Sequence, residues 1–228
     1  MNVLRSLVFY LVFYGLTVPY VIVTILALPL GGARFRAVPN SWCAFHRWCV
    51  QHILGIEIRV AGRGPDGPAL YAIKHESFFE AIDLGCLLKD PVVFAKEELF
   101  RIPLWGWAAR SYGAIQVSRK DGAKALRFML VEAKRMAATG RPLAIFPEGT
   151  RVPHGSSPPL RSGFAGLYKL LGLPVVPVAV DSGRTYAGNW KRRGTITVKM
   201  GDPIPPGLPR AEIETRVVKA INDLNTID

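Results

Sequence analysis

The amino-acid sequence predicts an α/β protein, a β-sheet layered with helices, that carries an apolar helical segment at its N-terminus. Two observations support this fold class. Beyond Gly62, short apolar runs rich in β-branched residues alternate with longer stretches whose apolar residues recur at helical spacing. Before that point, residues 6–33 contain no charged side chain. About 20 such residues suffice to cross the hydrocarbon core of a bilayer as a helix.

The uncharged segment predicts membrane contact, in a form that the sequence leaves open. Gly15 and Pro19 interrupt its middle. Because proline removes a helical hydrogen bond, a re-entrant pair of half-length helices competes with one kinked span. A cleaved signal peptide is disfavoured, since the apolar run of a signal peptide is usually about 7–15 residues long.

A second N-terminal stretch, residues 40–56, mixes aromatic residues with basic ones. This mixture predicts an interfacial helix at headgroup depth. We expect His46 and His52 to be polar residues on the surface of that helix, without a catalytic or metal-binding role. Residues 1–56 are therefore interpreted as a membrane anchor with an interfacial helix.

The remainder, residues 57–228, is interpreted as one catalytic domain without internal repeats or long linkers. Its predicted strands are 57–60, 70–73, 92–95, 115–117, 143–146, 175–180 and 195–200. Helices are predicted over 123–140, with Gly140 as a stop, and over 212–224.

Charge and cysteine content limit the classes of partner and site. The 228 residues include 29 Lys and Arg against 17 Asp and Glu, a net charge of +12 that favours anionic partners such as acidic lipids, phosphorylated substrates or nucleic acid. Nucleic acid is disfavoured because no recognition motif accompanies the charge. Three cysteines without a CxxC pair disfavour a disulfide framework or a zinc site and suit a reducing, cytosolic environment.

The stretch "KHESFFE" that begins at Lys74 permits two interpretations. Five residues turn a helix by about 500°, so His75 and Glu80 can meet only if His75 lies before the helix. In that arrangement the Glu80 carboxylate fixes the imidazole tautomer, and the other ring nitrogen can take a proton from a hydroxyl. Alternatively, "SFFE" is a capping box in which Ser77 and Glu80 satisfy backbone N–H groups at a helix start.

Three further stretches of the sequence, called blocks below, each permit an ordinary structural interpretation and a functional one. "FPEGTR" follows a predicted strand, and its Gly149, Thr150 and Arg151 form either an anion cradle for phosphate or an ordinary turn with a solvated arginine. "YGAIQVSRKDG" places Arg119 after a strand, as a phosphate contact or as part of a charged turn. "LGLPVVPVAVDSG" places Pro177 in an apolar strand, where it lines an acyl-chain slot or is simply buried.

In this order, the four blocks resemble the lysophosphatidic acid acyltransferase family, the glycerolipid acyltransferases with an H-x4-D motif. The matching parts are "HESFFE", "GAIQVSR", "FPEGTR" and "LPVVPV", and the similarity covers roughly residues 69–182. The resemblance implies a mixed sheet flanked by helices, as in glycerol-3-phosphate acyltransferase. One departure is Glu80, where the family usually has Asp. A histidine paired with glutamate also resembles the acyltransferases that complete lipid A.

The resemblance also implies roles for individual residues. His75 is the general base, oriented by Glu80. The substrate phosphate site has five residues: Arg119, Glu148, Gly149, Thr150 and Arg151. Pro177 is the candidate for an acyl-chain or structural role. Neither a metal nor a cofactor is expected, and Ser77 is interpreted as a cap rather than a nucleophile, since the sequence contains no GxSxG elbow.

The function implied is acyl transfer from acyl-CoA or acyl-carrier protein to the sn-2 hydroxyl of 1-acyl-sn-glycerol 3-phosphate, which gives phosphatidic acid. The expected partners are membrane lipids, lysophosphatidic acid and the acyl donor, at the cytosolic face of the inner membrane. Alternatives are another acceptor (lyso-ornithine lipid, a lysophospholipid or a lipid A precursor) and a membrane-anchored lipid binder that does not depend on His75.

Overall fold

The computed structural model describes residues 1–118 and 122–225. Over these residues, seven strands form one sheet. They are β1 (Ile56–Ala61), β2 (Leu70–Ile73), β3 (Val92–Lys96), β4 (Ile115–Val117), β5 (Leu143–Ile145), β6 (Val175–Val180) and β7 (Gly194–Met200). Every predicted strand is present, and each predicted end lies within one residue of the observed end.

The strand order is β1-β7-β6-β2-β5-β3-β4. Strands β6, β2, β5, β3 and β4 run parallel to one another, whereas β7 is antiparallel to β6 and β1 is parallel to β7. The prediction of a mixed sheet flanked by helices is confirmed. The carboxyl ends of the five parallel strands meet at one edge, where ligands bind in open α/β sheets.

Helices cover both faces of this sheet. They are α1 (Asn2–Leu26), α2 (Gly32–Cys49), α3 (Phe79–Leu87), α4 (Trp105–Tyr112), α5 (Gly122–Ala137), α6 (Ser162–Leu171) and α7 (Arg210–Ile221). Helices α5, α6 and α7 form one hydrophobic core with the sheet, and α1, α2 and α3 form a second core on the opposite face. The two helices predicted in the catalytic part are confirmed as α5 and α7.

The uncharged N-terminal segment forms one 25-residue helix, α1, with Pro19 inside it. The alternative of two half-length helices over residues 6–33 is therefore wrong. A short turn, Leu28–Leu30, leads into α2, which packs against α1 through a hydrogen bond of 3.0 Å from Trp42 Nε1 to Thr17 Oγ1. Helix α1 is long and apolar enough to cross a bilayer, and it associates the protein with the membrane.

The N-terminal helix also belongs to the core of the protein. The side chains of Phe9 and Phe13 are buried in one cluster with residues of β2, β6 and α3. Burial of each ring contributes about 1.5–3 kcal/mol. Ser6 Oγ accepts a hydrogen bond of 2.9 Å from the Lys191 backbone N–H. The division of the chain into two parts at residue 56 remains a prediction. Residues from both sides of this position lie in the same hydrophobic core.

His46, expected on a helix surface, is fully buried. Its Nε2 lies 2.8 Å from the Tyr186 hydroxyl, and the expectation of surface exposure is wrong because α2 is covered on this side by α1 and the sheet. Burial, together with the charges of Arg47 and Lys191, lowers the pKa of His46 to about 3. His52 is exposed, as expected, with Nδ1 2.9 Å from the Trp48 carbonyl.

The buried imidazole predicts that acid weakens the fold. His46 takes up a proton at about pH 6.5 in the unfolded chain but only at about pH 3 in the folded chain, so stability falls as the pH drops between these values. The slope contributed is up to about 1.4 kcal/mol for each pH unit. We expect His46→Phe to flatten the pH dependence of urea unfolding in detergent between pH 7 and 4. Parallel curves for the two proteins would contradict this assignment.

Candidate active site

The candidate site begins where the chain leaves β2. The Lys74 backbone N–H donates to Val178 O at 2.9 Å, which extends the β2 ladder by one residue. The next residue, His75, lies on the turn that leads to α3, and Glu80 lies in the first turn of that helix. His75 is thus off the helix, as its pairing with Glu80 requires.

The structure brings the two predicted residues into contact. His75 Nδ1 lies 3.0 Å from Glu80 Oε1, and the Glu80 side chain is 3% exposed. The carboxylate accepts from Nδ1–H, which leaves Nε2 as the unprotonated nitrogen. The His75 side chain is 16% exposed, and no described residue forms a hydrogen bond with Nε2. This arrangement can accept a proton from a substrate hydroxyl.

The capping interpretation of the same carboxylate also holds. Glu80 Oε1 accepts from the backbone N–H of Ser77 at 2.6 Å, and Ser77 Oγ accepts from the Phe79 N–H at 3.0 Å. Ser77 and Glu80 therefore each satisfy a backbone N–H at the helix start, as the capping interpretation requires. The two interpretations are therefore compatible, because one carboxylate closes the turn and contacts the imidazole.

A further Glu80 contact was missed by the sequence analysis. Ser182 Oγ, at the carboxyl end of β6, donates to Glu80 Oε2 at 2.7 Å. Ser182 is fully buried. Nothing in the sequence near Ser182 signals this contact, since it depends on β6 lying beside β2.

The "FPEGTR" block holds His75 from the neighbouring strand end. The His75 backbone N–H donates to Glu148 Oε2 at 2.9 Å, and the Val152 N–H donates to His75 O at 2.8 Å. The imidazole stacks on the Phe146 ring, with centroids 4.2 Å apart and planes inclined by 24°. Two turns that are distant in sequence thereby fix the orientation of one side chain.

Glu148 forms a buried ion pair that the sequence analysis did not predict. Its Oε1 lies 2.9 Å from Lys74 Nζ, and the side chains are 1% and 0% exposed. Burial raises the pKa of Glu148, and this rise is opposed by Lys74 and by the His75 N–H. Glu148 was predicted to belong to the phosphate site. With its carboxylate buried in this pair, any part in phosphate binding is indirect, through the His75 turn.

The other residues of the block lie at the surface beside this turn. Gly149 has φ +68°, in the left-handed region, and a Cβ there would lie 2.9 Å from Arg161 Cγ, so the turn requires glycine. Thr150 and Arg151 are exposed. The Arg151 guanidinium carbon lies 4.0 Å from the centroid of the Phe78 ring, next to the start of α3. Their predicted phosphate contacts remain predictions.

A second cation lies near Arg151. Lys191 is 8% exposed and donates to the carbonyl oxygens of Tyr186 and Gly188 at 2.6 and 2.8 Å. Burial, and secondly the charge of Arg151, lower the pKa of Lys191 to about 8. An anion bound here would relieve the repulsion between the two cations.

Two predicted site residues remain, Arg119 and Pro177. Arg119 falls outside the described residues, and the strand before it, β4, is three strands from β2, a distance of about 14 Å. Pro177 is buried in β6, opposite Ala72 of β2, and its carbonyl accepts from the Gly201 N–H at 2.8 Å. The roles predicted for both remain predictions. Among the described residues, no group of three or more His, Cys, Asp or Glu side chains is placed to hold a metal ion.

Comparison with known proteins relates the chain to one family. The family model described as Acyltransferase matches residues 55–181. The chain is 32% identical over 197 residues to a 1-acyl-sn-glycerol-3-phosphate acyltransferase of Pseudomonas aeruginosa, covering 85% of this chain and 74% of the relative. It is 29% identical over 199 residues to a lyso-ornithine lipid O-acyltransferase of the same organism, covering 77% of this chain and 76% of the relative.

A solved structure shares the fold over the whole chain. The crystal structure of the 1-acyl-sn-glycerophosphate (LPA) acyltransferase PlsC from Thermotoga maritima aligns with a TM-score of 0.77. The alignment covers 100% of this chain and 99% of that protein, at 22% sequence identity.

The buried ion pair predicts a large stability loss when one partner is removed. Glu148→Ala leaves the Lys74 ammonium buried without a carboxylate, which should destabilise the fold by about 3–5 kcal/mol. Replacing both residues, as Lys74→Met with Glu148→Leu, should recover part of that loss. The matched control is Glu57→Ala, which breaks an exposed pair with Arg59. Thermal unfolding in detergent measures all three, and equal shifts for Glu148→Ala and Glu57→Ala would contradict the prediction.

Proposed function

Since this chain belongs to the acyltransferase family, we propose that it transfers a fatty acyl group to the sn-2 hydroxyl of 1-acyl-sn-glycerol 3-phosphate. The product is phosphatidic acid. The observation that carries the proposal is the His75 imidazole, held by Glu80 at Nδ1 with no described partner at Nε2, beside the exposed Arg151. The relative from Pseudomonas aeruginosa that is named for this reaction supports the choice of acceptor.

In the proposed reaction, His75 acts as general base. Nε2 takes the proton of the sn-2 hydroxyl while the oxygen attacks the thioester carbonyl of acyl-CoA or acyl-carrier protein. The tetrahedral intermediate then collapses, the C–S bond breaks, and the thiolate takes the proton from the imidazolium. Glu80 stabilises the imidazolium through Nδ1. Base catalysis of this kind typically contributes about 10²- to 10⁴-fold.

The acceptor phosphate is proposed to bind at the "FPEGTR" turn. Arg151 supplies an exposed guanidinium and Thr150 an exposed hydroxyl. Guanidinium–phosphate pairs are among the strong charge-assisted hydrogen bonds. Lys191 adds a second positive charge, and Arg119 is proposed to contribute to the same phosphate site.

The proposal assigns no metal and no cofactor, because the proton transfer and the acyl transfer need only the imidazole and the thioester. The partners proposed are membrane lipids, lysophosphatidic acid and acyl-CoA or acyl-carrier protein, without nucleic acid. With α1 in the membrane, the catalytic part is proposed to face the cytosol from the inner membrane. The net charge of +12 suits anionic headgroups and acidic acyl donors at that surface.

A lyso-ornithine lipid is the second candidate acceptor. The similarity to the lyso-ornithine lipid O-acyltransferase favours it. Its headgroup is an amino acid without phosphate, so transfer to this acceptor would not need Arg151. A lysophospholipid differs from the first candidate in its headgroup, and a lipid A precursor differs also in its amino-sugar backbone. A lipid binder would show no turnover with any of these acceptors.

Removing the base should abolish most of the activity. Acyl transfer from labelled acyl-CoA and acyl-carrier protein to 1-acyl-sn-glycerol 3-phosphate is measured in detergent micelles. We expect His75→Ala to lower kcat by about 10²- to 10⁴-fold. Glu80→Ala should be severely impaired, and Glu80→Asp should retain partial activity because its shorter side chain weakens the Nδ1 contact. His52→Ala is the control for loss of a surface histidine. Full activity of a folded His75→Ala variant would eliminate the mechanism.

Removing the proposed phosphate contact should affect the acceptor more than the donor. A hydrogen bond to a charged group is worth about 1.5–3 kcal/mol, so Arg151→Ala should raise KM for 1-acyl-sn-glycerol 3-phosphate by about 10- to 100-fold. KM for the acyl donor should change little. Arg216→Ala, on α7, is the matched control. An unchanged KM for 1-acyl-sn-glycerol 3-phosphate would refute phosphate binding by Arg151. An equal rise in KM for a lyso-ornithine lipid would also refute it.

A further inference from the structure

A second histidine–carboxylate pair lies next to His75. Glu76 follows it directly, and its side chain is 0% exposed. His154, three residues beyond Arg151, places Nδ1 3.0 and 3.2 Å from the two Glu76 carboxylate oxygens. Neither Glu76 nor His154 takes part in the reaction proposed above.

The hydrogen bonds of His154 rule out a role as general base. Arg184 Nε lies 2.8 Å from His154 Nε2, and a guanidinium can only donate. Nε2 is therefore the accepting nitrogen, and Nδ1–H donates to Glu76. Both ring nitrogens of His154 are engaged within the protein, whereas Nε2 of His75 has no described partner. The second pair is built to hold structure and not to move a proton.

Glu76 contacts both Glu80 and the segment that follows β6. Its carboxylate Oε2 accepts from the Gly183 N–H at 2.8 Å, and its own backbone N–H donates to Glu80 Oε1 at 2.5 Å. Gly183 follows Ser182, whose hydroxyl donates to the other Glu80 oxygen. Glu76 therefore links the His75 turn to the segment that completes the hydrogen bonding of Glu80.

The packing around this link is tight. A Cβ at Gly183 would lie 2.8 Å from Glu76 Oε2 and 3.0 Å from His154 Cβ. Burial, and to a smaller extent the charge of Glu80, raise the pKa of Glu76, and this rise is opposed by the Gly183 N–H and by His154. Burying a carboxyl group this close to Glu80 is unfavourable, and the hydrogen bonds from His154 and the Gly183 N–H offset that cost.

We propose that Glu76 and His154 are positioning residues that hold the Ser182–Gly183 segment against the His75 turn. Ser182 then donates to Glu80, and Glu80 keeps its contact with His75 Nδ1. The pair joins the ends of three parallel strands, since Glu76 follows β2, His154 follows β5 and Gly183 follows β6. This inference rests on the acyl transfer proposed above.

The kinetic test is a double-mutant cycle between Glu76→Gln and Ser182→Ala, with acyl transfer to 1-acyl-sn-glycerol 3-phosphate as the readout. Each single variant should lower kcat by about 3- to 10-fold with little change in the acceptor KM. The kcat of the double variant should be no lower than that of the less active single variant, because both substitutions act through the same contact. Losses that multiply in the double variant, or an unchanged kcat for Glu76→Gln, would overturn the proposal.

Controls separate positioning from general damage. His154→Gln should lower kcat to a similar extent as Glu76→Gln. Glu132→Gln, on α5 and paired with Arg135, should leave kcat unchanged. Melting temperatures are measured for every variant, and a kcat loss accounted for by the unfolded fraction would count against the proposal.

A second readout needs no substrate, so it remains informative if the proposed function fails. The chain has four histidines, and their ¹⁵N imidazole signals can be assigned by substitution. The wild type should show His75 protonated at Nδ1, and Glu76→Gln should shift or lose that signal. An unchanged His75 signal in Glu76→Gln would overturn the inference. A wild type inert with the glycerol phosphate acceptor would instead count against the proposed function.

Discussion

The buried ion pair of Lys74 and Glu148 is the constraint on which the site depends. It joins the turns that leave two adjacent parallel strands, β2 and β5, with an N–O distance of 2.9 Å and almost no exposure to solvent. The second oxygen of Glu148 accepts the His75 N–H. A buried charge without its partner strongly raises the free energy of the fold, so separation of the two turns is unfavourable. The imidazole between them therefore has a defined place before any substrate arrives.

A second feature of this site is that a single carboxylate has several structural roles. One carboxylate, Glu80, caps α3, accepts from the imidazole and receives the Ser182 hydroxyl. A glutamate can do this from the first helical turn because its side chain reaches back over the preceding residues, as in any capping box. The stability of the helix start and the orientation of His75 consequently rest on the same hydrogen bonds.

The membrane helix is coupled to this site through packing. Phe9 and Phe13 of α1 lie in one hydrophobic core with Phe79, the first residue of α3. His46 stands between them, with ring centroids 4.9 Å from Phe13 and 5.9 Å from Phe79. A helix that associates with the bilayer is thus linked, through His46 of α2, to the helix that carries Glu80. This arrangement suits an enzyme whose acceptor and product reside in the membrane.

The seven strands, helices α5 and α7, the apolar N-terminal segment and the candidate pair of His75 and Glu80 could be predicted from the amino-acid sequence. Each of these depends on residues close together in the chain, where periodicity and turn chemistry are sufficient. The buried pair of Lys74 with Glu148, the contact of Ser182 with Glu80 and the burial of His46 emerged only from the three-dimensional fold. Their partners are 74, 102 and 140 residues away along the chain. Such contacts follow from strand order and helix packing, and a hydrophobic pattern shows which residues are buried but not which strands become neighbours.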